Sequence, residues 1–378
     1  MIILKAPIYL DSKMTTYYCS QCELPYPSEG LPDHCPRCGG TFTLGEFTFQ
    51  QGAVALSKSP GIWRYQSAFG LPENSPLTYL GEGETPLVLR KIQSQQIAFK
   101  LENLNPSGSF KDRGTAVLTS MLLNRGIKEV VEDSSGNAGA SLAAYSAAFG
   151  IRSHIFVPAF ASGPKINQMK ASGADVIPVP GPRENAHQAA LKYVTETGFP
   201  YASHALLPFG LAGIATISLE IYEQLGGLPG TIVAPVGHGS LFRGIQLGLQ
   251  ALQQHFDFQQ EVKMVGVQPA RCAPLVARWK GQPFNGGTEP SLAEGTQIVA
   301  PMHGEKILNS LHRGKDELVS IEEEDILPAF YSLARMGFYV EPTSALVWAA
   351  YQQFGSDWPE PIVLILTGSG LKFDPTLR

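Results

Sequence analysis

The chain is 378 residues long, with 44% hydrophobic and 16% charged residues and a formal net charge of −5. Mild acidity without a basic patch argues against a dedicated nucleic-acid binder, and the longest apolar runs, such as IVLIL at 362–366, are far too short to span a bilayer. The length suffices for a large core and more than one domain, while the amino-terminal MIILKAPIYLDSKM lacks the apolar length and cleavage signature of a secretory leader, so a cytoplasmic location is expected.

The first informative segment is YYCSQCELPYPSEGLPDHCPRCGG, which places Cys19, Cys22, Cys35 and Cys38 as two CxxC pairs twelve residues apart. Each pair offers two thiolates from one tight turn, the spacing of a structural zinc site; unmetallated thiols or redox pairing are the alternatives. Gly39 and Gly40 are expected to free backbone N–H groups for the sulfurs. His34 is a further candidate ligand, although four cysteines already complete a tetrahedron. Residues 1–45 are therefore taken as a zinc-ribbon-like segment. Cys272, alone in QPARCAPL, is expected to be a buried, inert thiol.

A polar, Pro/Gly-dotted stretch follows to about residue 90, and then a strand-then-helix rhythm begins. IAFKLEN, EVVEDSS, SHIFVPA, DVIPVPG, TIVAPVG, MVGVQP and PIVLILTG are short β-branched runs, most of them followed by a helical pattern. Such alternation predicts parallel sheets with helices on both faces. The strands are too numerous for one modest sheet, so residues 46–378 are read as two α/β lobes around a cleft. The small lobe is placed at roughly 115–205 and the large lobe at roughly 46–114 plus 206–378.

Between the first two of these strands lies NPSGSFKDRG, residues 105–114. Ser109 is a good N-cap residue, and Val117, Met121 and Leu122 carry helical spacing up to Gly126. Lys111 then falls in the first helical turn, where its charge opposes the helix dipole by roughly 0.3–1 kcal/mol, a mismatch that Asp112 partly relieves. One resolution is that Lys111 is not a free ammonium but is bound as an imine to an aldehyde cofactor. Gly108 and Gly114 also permit something to approach the backbone closely.

Three loops at strand ends are chemically unusual, and ligands bind at such ends. EDSSGNAGAS (132–141) runs into a helix with Asn137 facing the cleft. PVGHGSLFRG (235–244) opens a helix at Ser240, leaving backbone donors for a phosphate. LTGSGLKFDP (366–375) presents Thr367 and Ser369. The middle loop is not a dinucleotide fingerprint, because its third glycine is missing, and no HExxH spacing points to a catalytic metal.

These residues resemble the fold type II pyridoxal-phosphate enzymes, the tryptophan synthase β-like superfamily, over about residues 80–375. GSFKDRG and LTGSGLK are most similar to the threonine synthase forms of two motifs, and some of those relatives carry a zinc-ribbon-like segment. The resemblance implies two-lobed, doubly wound parallel α/β sheets, pyridoxal 5'-phosphate as cofactor, an amino-acid substrate, a homodimer, and no nucleic-acid or membrane partner. It also implies that Lys111 carries the cofactor and acts as base at the substrate α-carbon, with Phe110 beside it. Asn137 would bond the ring hydroxyl, and Gly237, His238, Gly239, Ser240 and Leu241 would hold the phosphate. Thr367 would meet the pyridine nitrogen; a neutral hydroxyl there disfavours a pyridinium, and so favours elimination or replacement at the β or γ carbon over transamination. Ser134, Ser135, Gly136 and Ala138 would cradle the substrate carboxylate.

The match has departures. Where the threonine synthase pattern reads like NPxRLEGQ, with an arginine for the substrate phosphate, this chain has LLPFGLAGIAT and Gly210. An asparagine of the phosphate loop is His238 here, and a threonine after the loop asparagine is Ala138. HALLPFGLAGIATISLEI and PVGHGSLFRGI look more like the serine/threonine dehydratases and cysteine-synthase-type enzymes. The expected reaction is threonine synthase-like, O-phosphohomoserine to threonine and phosphate. A serine/threonine ammonia-lyase or a β-replacement enzyme of the cysteine or cysteate synthase type is the alternative, and a non-catalytic zinc-ribbon binding protein the remote one. Arg243 is a candidate to replace the missing arginine. Glu341, in YVEPTSALVW, is read as marking a helix start along the cleft and as a candidate acid or base.

Overall fold

The computed structural model describes residues 17–47, 58–72, 74–256, 258–287 and 289–374; the amino-terminal stretch searched for a leader lies outside them. Two short strands, β1 (Tyr17–Cys19) and β2 (Phe42–Leu44), pair antiparallel and hold the cysteine segment. The strands that follow are β3 (Leu87–Ile92), β4 (Gln95–Lys100), β5 (Glu129–Glu132), β6 (Arg152–Pro158), β7 (Asp175–Val179), β8 (Thr231–Pro235), β9 (Lys263–Pro269), β10 (Glu317–Ile321) and β11 (Ile362–Ile365). Between them run helices α1 (Lys111–Asn124), α2 (Asn137–Ala148), α3 (Pro164–Ala171), α4 (Arg183–Thr197), α5 (Phe209–Leu225), α6 (Ser240–Phe256), α7 (Pro274–Trp279), α8 (Gly304–Ser310), α9 (Glu323–Arg335) and α10 (Pro342–Phe354).

A six-stranded sheet has the order β10-β9-β8-β11-β4-β3, and a separate three-stranded parallel sheet has the order β5-β6-β7. The larger sheet alternates its side chains in the manner its sequence predicts. On β4, Ile97 and Phe99 face α9 and α10 while Ala98 faces the opposite core; on β11, Ile362 and Leu364 share the first face and Val363 and Ile365 the second. That second face is covered by α1, α5 and α6. In the smaller sheet, Ile155 and Val157 of β6 pack on α2 and α3, whereas Phe156 turns to α4. Both sheets are thus sandwiched between helices, the doubly wound arrangement expected from the strand–helix rhythm.

Three local expectations are corrected. The larger sheet is not wholly parallel, because β3 folds back antiparallel onto β4 as an edge strand inside a stretch read as polar loop. β10 was not foreseen; ELVSI is too mixed in polarity to stand out. Ser109 does not cap α1, since the helix starts at Lys111 after Phe110 in helical conformation, with no side-chain cap. The work of a cap is done in reverse by Asp112, whose carboxylate accepts from Ser107 N (2.6 Å), Ser107 Oγ (2.5 Å) and Ser141 Oγ (2.5 Å). The helix is also buried on every side from Asp112 to Leu122. Its close approach at Gly114 is to Gly210 at the start of α5, where a Cβ on Gly114 would lie 3.1 Å from the Gly210 Cα.

Candidate active site

A cavity of about 1020 Å³ opens where the C-terminal ends of strands from both sheets converge. Every residue predicted for cofactor or substrate lies on its wall: Phe110, Lys111, Ser134, Ser135, Gly136, Asn137, Ala138, Gly237, His238, Gly239, Ser240, Leu241 and Thr367.

Lys111 is aimed into this cavity by the loop before it. Gly108, at φ +88°, turns the chain; Phe110 N donates to Thr367 O (3.0 Å) and Ser369 N to Gly108 O (2.9 Å), tying the loop to the segment after β11. Desolvation brings the Lys111 amine down to about 8, with Glu132 opposing that shift and Arg183 adding to it. Its Nζ also lies 5.1 Å from the centroid of the Phe110 ring.

Asn137, the first residue of α2, donates from Nδ2 to both oxygens of Glu341 (3.1 and 3.0 Å), and its Oδ1 is buried without a partner. Thr367 Oγ1 donates to Glu341 Oε1 (3.2 Å) and lies 2.9 Å from Ser344 Oγ. Glu341 does start a helix, as expected, but its 4% exposed side chain also bridges Asn137 and Thr367.

The loop from Gly237 to Gly239 has free backbone donors. Among the described residues, the N–H groups of Gly237, His238 and Gly239 find no acceptor. Ser240 Oγ and His238 Nδ1 are buried and equally unpartnered. Glycine is required at both ends, since Gly239 adopts φ +96° and a Cβ on Gly237 would lie 2.6 Å from Gly295 O. Burial, followed by the charges of His204, Lys111 and Arg183, lowers His238 to about 2, so its imidazole is neutral. Unpaired donors at the N-terminus of the seventeen-residue α6 make a cradle for a phosphate. Together with the orphaned Asn137 Oδ1 and the Lys111 amine on the same cavity wall, they fit a phosphorylated pyridine aldehyde.

Several wall residues escaped the sequence reading. Lys165 follows β6 and pairs with Glu294 (3.3 Å); Lys372 donates to Ser107 O (2.7 Å), and burial lowers it to about 8. Arg183, at the start of α4, makes no ion pair among the described residues. The available signal was position, since Arg183 and Lys165 each begin a helix just beyond a strand of the parallel sheet. Glu132 and His204 are hydrogen-bonded at 3.2 Å beside Lys111. Arg243, by contrast, does not line the cavity; burial lowers its guanidinium, and the Tyr18 phenol of β1 is near enough to oppose that shift. Gly210 likewise sits at the crossing of α1 and α5, off the cavity wall.

In the ribbon-like segment, the sulfurs of Cys19, Cys22, Cys35 and Cys38 all lie within 4.8 Å of one another, with Cys19–Cys38 at 3.5 Å and Cys22–Cys35 at 3.6 Å. A tetrahedral metal with sulfur bonds of about 2.3 Å has sulfur–sulfur edges of about 3.8 Å, so the cluster fits zinc. His34 is turned to Asp33 (3.3 Å) and stays outside the cluster; the Gly39 N–H bonds the Cys35 carbonyl rather than a sulfur, whereas the Gly40 N–H is turned to the Cys38 sulfur, as expected. Cys272 is buried, as expected. No helix among the described residues is long and apolar enough to cross a membrane.

Residues 78–368 match the family model described as pyridoxal-phosphate dependent enzyme. The chain is 30% identical to a threonine synthase of Methanocaldococcus jannaschii, over 94% of this chain and 92% of the relative. It is 32% identical to one of Mycobacterium tuberculosis, over 80% and 84% respectively. Among solved structures, a T.th. threonine deaminase superposes with a TM-score of 0.66 at 27% identity, covering 77% of this chain and 94% of that one. Maize serine racemase, at 22% identity and a TM-score of 0.67 over 78% of this chain and 91% of that one, shares the fold. The lysine cleft and the sequence matches agree, and the chain belongs to the pyridoxal-phosphate dependent enzymes, with the fold type II architecture its motifs resemble.

Proposed function

We propose that the chain is a pyridoxal-phosphate-dependent lyase that eliminates or replaces a group on an amino acid, with O-phosphohomoserine conversion to threonine and phosphate as the leading reaction. The observation that carries the reading is Lys111 itself, a desolvated amine between a loop of free N–H donors and the Asn137–Glu341–Thr367 bridge. When bound, the cofactor supplies an electron sink that acidifies the substrate α-carbon. Gly237 to Leu241 hold its phosphate, Asn137 and Thr367 orient its ring, and Glu341 fixes those two side chains. Ser134 to Ala138, at the N-terminus of α2, receive the substrate carboxylate, and Lys111 Nζ moves the α-carbon proton. Thr367, a neutral hydroxyl, places no counter-charge of its own at the ring nitrogen, which suits expulsion of a leaving group.

Similarity to threonine synthases across 94% of the chain supports the phosphorylated substrate. Arg183, unpaired on the cavity wall, supplies the charge that Gly210 cannot. An Arg183→Ala protein is expected to raise KM for O-phosphohomoserine about tenfold to a hundredfold, the loss of a charge-assisted hydrogen bond of about 1.5–3 kcal/mol, and to leave threonine deamination within about twofold. The second reading, a serine/threonine ammonia-lyase, is favoured by the likeness to threonine deaminase. A product screen separates them: phosphate from O-phosphohomoserine upholds the first, and 2-oxo acid from serine or threonine without phosphate replaces it with the second.

The cysteine cluster is proposed to hold one structural zinc, which gives folding free energy to a segment too small for its own core. Elemental analysis is expected to find about one zinc per chain. Cys35→Ser is expected to lose the metal and lower the melting midpoint by several degrees, and zinc-free protein of unchanged stability would count against the assignment.

A further inference from the structure

His204 stands on the cavity wall just after the extended run 201–203, whose Tyr201 bridges to Val131 of β5. Its Nδ1 lies 3.2 Å from Oε1 of Glu132, the last residue of β5. The Glu132 side chain is 1% exposed and that of His204 20%. Neighbouring Asp133 is engaged elsewhere, by Tyr201 Oη (2.7 Å) and His187 Nδ1 (3.0 Å), which leaves Glu132 to His204. His204 Nε2 makes no hydrogen bond to the described residues. One ring nitrogen is therefore held by a dry carboxyl group, and the other is left to whatever fills the cavity.

Expulsion of an oxygen leaving group needs a proton that Lys111 does not provide while it handles the α-carbon. Hydroxide must depart as water and a phosphate ester as hydrogen phosphate. We propose that the Glu132–His204 pair is the acid for this step, an inference that rests on the elimination reading above. His204 Nε2–H passes its proton to the leaving oxygen as the carbon–oxygen bond breaks and its electron pair stays on oxygen; Glu132 O–H passes its own proton to Nδ1. The imidazole stays neutral, Glu132 becomes a carboxylate, and a proton from water resets the pair.

The surroundings favour that starting state. Burial, with Asp133 adding, raises Glu132 to about 8, and burial with Lys111 and Arg183 holds His204 well below its ordinary range, against Asp133. The groups facing the pair are Lys111 from α1, Asp133 from β5, Arg183 from α4 and His238 from the phosphate loop. At neutral pH the shared proton sits on the carboxyl side, and it is lost as pH rises through about 8.

The test compares leaving groups in the cofactor-loaded enzyme. Glu132→Gln keeps a hydrogen bond to Nδ1 but has no proton to pass, so turnover of O-phosphohomoserine or threonine is expected to fall about 10²–10⁴-fold, with KM nearly unchanged and the alkaline limb near pH 8 gone. His204→Asn should do the same. β-Chloroalanine, whose chloride leaves without a proton, should react within about threefold of wild type in both variants. Equal slowing of chloride and oxygen substrates, or full oxygen-substrate turnover in either variant, overturns the proposal. A readout independent of turnover is the ¹⁵N NMR spectrum of histidine-labelled holoenzyme: a neutral His204 protonated on Nε2 at pH 7 supports the pair, and the Nδ1–H tautomer overturns it. If no oxygen substrate reacts with wild type, the elimination reading fails and this spectrum still decides the proton's place.

Discussion

A Lys111→Ala protein is expected to purify without a visible cofactor band, to yield no pyridoxyl-lysine after borohydride reduction, and to lose at least about a thousandfold in turnover. Among the described residues, the other amines on the cavity wall are already engaged. Lys165 is paired with Glu294, and Lys372 is spent on the Ser107 carbonyl. With the Lys111 amine lowered to about 8, about a quarter of it is neutral at pH 7.5, against about a thousandth at the ordinary 10.5. Because the neutral amine is the nucleophile, covalent attachment of added cofactor to the apoprotein should quicken as pH rises towards about 8 and level off above it. A variant that keeps its colour and turnover would place the chemistry on another residue.

Arg113→Ala is expected to be the most destabilising single change in α1, at about 3–5 kcal/mol in a denaturant titration. Arg113 is fully buried between two carboxylates, donating to Glu102 Oε2 (2.7 Å) and Oε1 (2.8 Å) and to Glu220 Oε1 and Oε2 (both 2.7 Å). Lys100 Nζ completes the group at 2.7 Å from Glu220 Oε2, so two cations face two anions out of reach of water. Removing one cation leaves a carboxylate desolvated and uncompensated, the costly case for a buried ion pair. In the native protein burial alone would raise Glu220, but Arg113 and Lys100 overcome it and hold the carboxyl below its ordinary range. Its contribution is therefore present above the unfolded value near 4.3 and is lost as pH falls through the lowered native value. The variant should show a shallower acid limb as well as lower stability; unaltered stability would mean that the network contributes nothing.

Legibility of the site in the sequence followed contiguity. SFKDRG, SSGNAG and GHGSL are runs of consecutive residues whose backbone geometry is local, and residues of all three line the cavity. What does not show in the sequence is the pairing of side chains from distant parts of the chain. Glu132 and His204 are 72 positions apart, and Asn137 and Glu341 are 204 apart. No spacing rule links such pairs, because only the strand order brings them together. Arg243 failed for the converse reason: it lies one turn from the phosphate loop in sequence, but helical geometry swings it towards β1. The strands that went unseen, β3 and β10, lie at the two edges of the larger sheet, where half-solvated side chains blur the apolar pattern.

α1 carries Lys111 at one end and, just beyond its other end, Arg125, whose guanidinium reaches the carbonyls of Gly30 and Pro27 and stacks on Tyr26 and Phe209. Fourteen residues at 1.5 Å each make a rod about 21 Å long, with the cleft at one tip and the cysteine segment clasped to the other. A ligand that binds only the folded form at either tip draws on the same unfolding equilibrium, so each adds RT ln(1 + [L]/Kd) to one shared stability. Saturating the cleft should then slow the escape of metal from the sulfurs whenever that escape requires unfolding, and filling the sulfur site should protect the cleft from thermal loss by the same reciprocal relation.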